Sequence, residues 1–187
     1  MDCLSRFVER MDDVLERARG AEPQILDEGS ALLAELIERD DWLPVEFLAT
    51  RADAVAQYLL HCDRRDRFCV ISLVWDAGQG TPIHDHGVWG LIGVLRGSEE
   101  VTPYRLASDG RPIAGVPIQQ RRGEVSTVSP AFGDVHRVSN SFPGTTVSIH
   151  VYGGNVARLR RNLYDPASGA IAPYVTQFAN RVSLSAL

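Results

Sequence analysis

The sequence predicts a mainly β barrel or jelly roll with a helical segment at its N-terminus, and three observations predict it. Apolar residues recur three and four apart up to about residue 60. From Arg67 on, short runs rich in Val, Ile, Thr and aromatics replace that spacing. Glycine, proline, asparagine and aspartate fall between those runs, about every 8–12 residues, as in barrels and jelly rolls.

In the helical part, Leu4, Phe7, Val8, Met11, Val14 and Leu15 share one helix face, with Gly20 as a stop. Pro23 opens a second helix, whose face carries Ile25, Leu26, Leu32, Leu33, Leu36 and Ile37 until Pro44 breaks it. A third short helix is expected from Ala52 to Leu60. Strands are expected at Phe68–Trp75, Val88–Leu95, Val101–Arg105, Glu124–Val128, Val135–Val138 and Thr145–Tyr152. Asp109-Gly110, Phe142-Pro143-Gly144 and Ser168-Gly169 are the turn signals between them. The expected organisation is one domain over 1–187, with a lead-in over 1–60 and a barrel over 67–175.

Composition narrows the partners. With 44% hydrophobic and 23% charged residues the chain reads as an ordinary globular protein. A net charge of -5 gives no basic footprint for nucleic acid or an anionic membrane. The opening residues MDCLSRFVERMDD carry charges throughout and no apolar signal region, and no window has the apolar length of a membrane span. Cys3, Cys62 and Cys69 form neither a CxxC nor an even set, so a reducing cytoplasm is the expected home. Cys62 and Cys69 are expected to act as small apolar residues, and His61 to sit on the surface.

The strongest local signal is Gly78-Gln79-Gly80-Thr81-Pro82-Ile83-His84-Asp85-His86. In a strand, residues i and i+2 share a face, so His84 and His86 can point inward together while Asp85 points away. A third histidine, His136, lies in the strand-like Gly133-Asp134-Val135-His136-Arg137-Val138-Ser139-Asn140. Single histidines are usually satisfied core or surface groups; an HxH with a third partner suits a transition metal.

A further pattern, Val147-Ser148-Ile149-His150-Val151-Tyr152, alternates strictly. Either the apolar set packs on a core with Ser148, His150 and Tyr152 in water, or the polar set lines the barrel.

These motifs resemble those of the cupin superfamily. The first cupin motif is matched by Gly78, His84, His86 and Gly97, with Gly90 where the usual glutamate ligand stands. The second is matched by Gly123, Pro130, Gly133, His136 and Asn140, with one extra residue on each side of Pro130. Within the cupins the chain is similar, from about Gln57 to Asp165, to the thiol dioxygenases of the cysteine dioxygenase family. The resemblance implies a double-stranded β-helix, Fe(II) held by His84, His86 and His136, and O2 as co-substrate. It also implies a small thiol substrate, oxidised to a sulfinic acid. Ser148, His150 and Tyr152 would then form a hydrogen-bonded relay directing the tyrosine hydroxyl toward the metal. The family's animal members join a cysteine at the Gly90 position to that tyrosine by a thioether; Gly90 has no side chain to do so.

Substrate selectivity is read the same way. Gln57 stands where cysteine dioxygenases carry a carboxylate-binding arginine, and a neutral amide cannot form that bidentate pair. Gln57, Gly90 and His150-Val151-Tyr152-Gly153-Gly154-Asn155 resemble the bacterial 3-mercaptopropionate dioxygenase branch. There the carboxylate partner matches Arg161, with Arg158 and Arg160 as neighbouring alternatives. The expected order of substrates is 3-mercaptopropionate, L-cysteine, then mercaptosuccinate. Trp89 either walls the pocket or packs in the barrel. The ligand set alone also permits a three-histidine zinc hydrolase or lyase, and the fold a non-enzymatic sensor or binding module.

Overall fold

A computed structural model describes residues 2–180. Two helices open the chain, α1 (Cys3–Ala18) and α2 (Glu22–Ile37). Asp2 caps α1 by accepting the Ser5 backbone N–H at 2.7 Å, and Arg19 closes it in the left-handed conformation. Twelve strands follow: β1 (Ala56–Cys62), β2 (Cys69–Trp75), β3 (Ile83–His84), β4 (Gly90–Arg96), β5 (Ser98–Leu106), β6 (Pro112–Ala114), β7 (Ile118–Arg121), β8 (Val125–Val128), β9 (His136–Ser139), β10 (Thr146–Tyr152), β11 (Arg161–Tyr164) and β12 (Ile171–Tyr174). One sheet has the order β1-β2-β10-β4-β8. The other runs β12-β11-β3-β9-β5, with β6 and β7 both pairing β5. From β2 to β5 and again from β8 to β11 the chain alternates between the sheets. That is the double-stranded β-helix expected of a cupin.

One expected element is absent. Residues 56–62 form strand β1, not the end of a third helix, because they pair with β2 from Ala56↔Val74 to Cys62↔Cys69. The helical lead-in therefore ends with a 3-10 turn at Val45–Leu48, and the barrel begins earlier than the sequence suggests.

The β10 alternation settles which face is which. Val147, Ile149 and Val151 join Ala56, Val70, Val74, Leu91 and Leu95 in a core covered by α1 and α2. Ser148, His150 and Tyr152 consequently point into the barrel. The helices work as an apolar lid on the outer face of the first sheet, which frees the inner face to carry polar chemistry. Close contact needs small residues: a Cβ on Gly93 would come within 2.9 Å of Ile37 and 3.0 Å of Leu33. Leu33 has no exposed surface there. Leu33→Ala is expected to destabilise the protein by about 2–5 kcal/mol, read as a lower urea midpoint at unchanged slope. No described helix is long and apolar enough to cross a membrane.

Candidate metal centre

The topology brings the two histidine motifs together. β3 and β9 are neighbours, and His84 and His136 are direct antiparallel partners across them. His86 lies just beyond the short β3 rather than on one rigid strand with His84, so something else must hold it. Asp134 does so. Its carboxylate accepts from the His86 backbone N–H at 3.0 Å, from Nδ1 at 2.9 Å and from the Gly87 N–H at 2.9 Å. Asp85 points away from the centre, as alternation requires, and ties the loop to Asn162 and Tyr164.

The three rings lie with centroids 4.8–4.9 Å apart, and their ligand atoms fall within 4.8 Å of one another. All three are buried. Their tautomers follow from their partners. The Pro82 carbonyl can only accept, so His84 donates Nδ1–H to it at 3.0 Å and keeps a lone pair on Nε2. The Asp134 carboxylate imposes the same choice on His86. His86 Nε2 is a buried nitrogen with no hydrogen-bond partner in the protein. Burial, then the neighbouring His86, pushes His84 down to about 3, and burial holds His136 well below the ordinary imidazole range. Three imidazoles turned inward, one with a buried Nε2 that has no partner, are a donor set that fits a divalent transition metal.

Beside them runs the relay. Ser148 Oγ and His150 Nε2 are 2.8 Å apart, as are His150 Nδ1 and the Tyr152 hydroxyl. Both nitrogens of His150 are thus engaged, which leaves no lone pair for a metal. Trp75 Nε1 donates to Ser148 Oγ at 3.2 Å and fixes that end. At the other end the Tyr152 ring stacks on His86 at 5.2 Å, with burial holding its hydroxyl protonated. A Cβ on Gly90 would meet the Tyr152 ring and Val128 at 2.9 Å, so Gly90 is where a side chain would touch this tyrosine.

Of the three candidate arginines, Arg161 points inward. It is 4% exposed, whereas Arg158 and Arg160 are exposed and Arg158 pairs with Asp66. The Arg161 guanidinium lies 4.5 Å from the Tyr174 ring centroid and 5.9 Å from that of Tyr152, and it donates to Thr176. Its Nε has no hydrogen-bond partner, and no carboxylate among the described residues forms a salt bridge with it. Gln57 lies on β1, where register sets it opposite Leu73, itself opposite Ser148.

Smaller expectations divide. Cys62 and Cys69 are buried apolar packing groups, with thiols pushed up to about 12 and about 11, chiefly by burial. Trp89 is half-buried and packs against the core cluster that contains Val147, Ile149 and Val151. His61 is half-buried against Phe68 with ring centroids at 5.4 Å, not a free surface group, because the bulge between Leu59 and His61 turns it onto that ring. Asp134, Tyr174 and Thr176 were not singled out in the sequence. A cavity of about 460 Å³ between β5, β7 and β8 reaches His136 past Val101, Pro103, Gln120 and Val128, giving a small molecule a mainly apolar approach.

No family model matches the chain. Similar solved structures include an uncharacterised conserved protein with a double-stranded β-helix domain from Klebsiella pneumoniae (18% identity, 59% of this chain and 82% of that one, TM-score 0.49). A cupin superfamily protein from Desulfitobacterium hafniense has 15% identity over 66% of this chain and 88% of its own, at TM-score 0.45. An RmlC-like cupin from Desulfovibrio desulfuricans has 24% identity over 56% and 90%, at TM-score 0.42. At these scores they carry no argument about chemistry, which rests on this chain's own residues.

Proposed function

We propose that the protein is a non-haem Fe(II) thiol dioxygenase that oxidises a small mercaptocarboxylate, 3-mercaptopropionate foremost, to its sulfinic acid. The observation that carries this reading is Arg161. A buried guanidinium without a carboxylate partner is expensive, and it becomes favourable when a bound anion completes it. It stands over Tyr152, whose ring stacks on a metal-ligating histidine, so an anion held by Arg161 reaches the same small volume as the three imidazoles.

Iron in the three-imidazole site would supply the redox-active centre that O2 chemistry needs. The chain's own residues do the rest. Neutral imidazoles leave the site a net positive charge, which favours an anionic thiolate. Arg161 fixes the other end of the substrate. Tyr152, held protonated and oriented by His150, presents a hydroxyl beside the reacting atoms. A purely structural metal site, or a sensor that only binds the metal, has no use for this combination.

The test is oxygen consumption by iron-loaded protein with 3-mercaptopropionate, L-cysteine, mercaptosuccinate and the carboxylate-free thiol cysteamine. The expected outcome is turnover of carboxylate thiols, with sulfinate as product. No turnover of any thiol, together with hydrolytic activity in zinc-loaded protein, would replace this reading with the zinc hydrolase. Tyr152→Phe is expected to retain iron while lowering turnover about 100-fold, since it deletes one positioned hydroxyl and almost no volume. Iron content and initial rates on the same sample check it.

A further inference from the structure

The relay does not end at Ser148. Glu99, on β5, is fully buried, and both its carboxyl oxygens lack a hydrogen-bond partner. Its cross-strand neighbour is Gln120 on β7, whose Oε1 is also buried and unpartnered. The Ser98 backbone N–H and C=O both bond Thr146 Oγ1, at 3.2 and 3.0 Å, which sets the next residue, Glu99, at the Ser148 end of β10, beside the Ser148 hydroxyl without closing a hydrogen bond to it. Facing it are neutral Gln120, the Ser148, His150 and Tyr152 set of β10, and Trp75 of β2 behind Ser148. His136 on β9 and Arg161 on β11 lie farther along the same interior. No cation forms a salt bridge with Glu99 among the described residues. A carboxyl buried without a partner costs several kcal/mol if ionised, so a position that keeps one beside a hydroxyl chain needs a reason.

We propose that Glu99 is the proton terminus of the Tyr152–His150–Ser148 relay, taking up the proton that a thiol sheds as it enters the site as thiolate. The source of the proton rests on the thiol reading; the coupling of Glu99 to the relay does not. With Glu99 ionised, the chain is polarised in one direction once the Ser148 hydroxyl turns to the carboxylate. Ser148 donates to Glu99 and accepts from Trp75 and from His150 Nε2–H, and His150 Nδ1 accepts from Tyr152. When the thiol arrives, its S–H bond breaks and Tyr152 gains that proton while passing its own to Nδ1. The Nε2 proton passes to Ser148, whose own moves to Glu99. One S–H is lost, one carboxyl O–H is formed, a single negative charge moves from Glu99 to sulfur, and no electron is transferred.

Afterwards the chain is polarised in the reverse sense. Glu99 donates to Ser148, Ser148 to Nε2, Nδ1–H to Tyr152, and the tyrosine hydroxyl now donates into the pocket. Two features fit this role. Ser148 has the donor and two acceptor sites that both arrangements use in full. Burial, opposed by Ser148, raises Glu99 to about 7, where it can hold or release a proton near neutrality. Glu99 touches neither metal nor substrate, so it acts as a positioning and proton-storing residue.

The first test needs no turnover. In zinc-loaded protein, nitrogen-15 NMR of the histidine rings reads the His150 tautomer from about pH 5.5 to about pH 8.5. The expected result is Nδ1–H at the acid end and Nε2–H at the alkaline end, with one tautomer throughout in Glu99→Gln. A single tautomer throughout in wild type, or a switch that survives Glu99→Gln, would overturn the proposal. The second test adds 3-mercaptopropionate anaerobically to iron-loaded protein and follows the infrared carboxyl band. Wild type is expected to gain a protonated-carboxyl signal; Glu99→Gln is expected to lack it and to release the proton to the medium. The variant's kcat/KM is expected to fall about 100-fold, with its pH dependence near neutrality flattened. A tautomer switch in a protein that oxidises no thiol would remove the thiol reading and leave Glu99 coupled to the relay. Thiol oxidation without a switch would do the reverse.

Discussion

Alanine at His84, His86 or His136 is expected to lower metal affinity by more than about 100-fold and to abolish oxygen consumption. The scale comes from comparison with Asp134, which only orients His86. Losing such an orienting partner typically costs about 10–100-fold in metal affinity or activity, and Asp134→Ala is expected in that range. Removing an imidazole itself deletes one of three protein ligands and opens a buried space, so the effect must be larger. His150→Ala provides the contrast. Both its nitrogens are engaged by Ser148 and Tyr152, so iron content should survive while turnover falls. Metal analysis of dialysed variants, with oxygen uptake on the same samples, decides it. Full iron occupancy in His84→Ala, or loss of iron in His150→Ala, would redraw the centre.

How much of this was legible in the sequence depended on whether a signal was local. The α1 and α2 faces, the HxH and the β10 alternation are each written within a dozen residues and carry their own periodicity. Ala52 to Leu60 shows the limit. Alanine, leucine and glutamine favour a helix, yet pairing with β2 makes a strand of most of it, because strand preference is mainly a matter of what lies alongside. The β10 pattern was legible but two-valued. Only the helices packed over Val147, Ile149 and Val151 fix its polar face as the inner one.

Glu99 and Asp134 were missed for the same reason. Two acids in succession, Glu99 and Glu100, give no hint which turns inward until β5 pairs with β9 and β7, which buries Glu99 and leaves Glu100 only half-buried. Asp134 reads locally as a turn residue next to Gly133. Its role appears only when a loop 48 positions earlier folds against it.

The second large effect is expected at Arg161. Arg161→Gln keeps much of the volume but deletes the charge, so it isolates what the guanidinium does for an anion. With 3-mercaptopropionate, kcat/KM is expected to fall by about 2–3 kcal/mol, or roughly 30- to 150-fold, the size of a hydrogen bond to a charged group inside a protein. With cysteamine, which has no carboxylate, the change should stay within about threefold, and iron content should hold. L-Cysteine is expected to be the poorer wild-type substrate, since its ammonium group would be drawn toward the same buried cation as its carboxylate, at a Coulombic cost that low polarity enlarges. Arg161→Gln should therefore narrow the preference for 3-mercaptopropionate over cysteine. Gln57→Ala, altered at the Ser148 end of the barrel, should leave that ratio unchanged. Oxygen electrode kinetics with the three thiols across wild type and the two variants measure all of this. Equal losses for 3-mercaptopropionate and cysteamine in Arg161→Gln would mean that Arg161 supports Tyr152 and Tyr174 by packing alone. A ratio that moves in Gln57→Ala instead would return the carboxylate to the opposite end of the barrel.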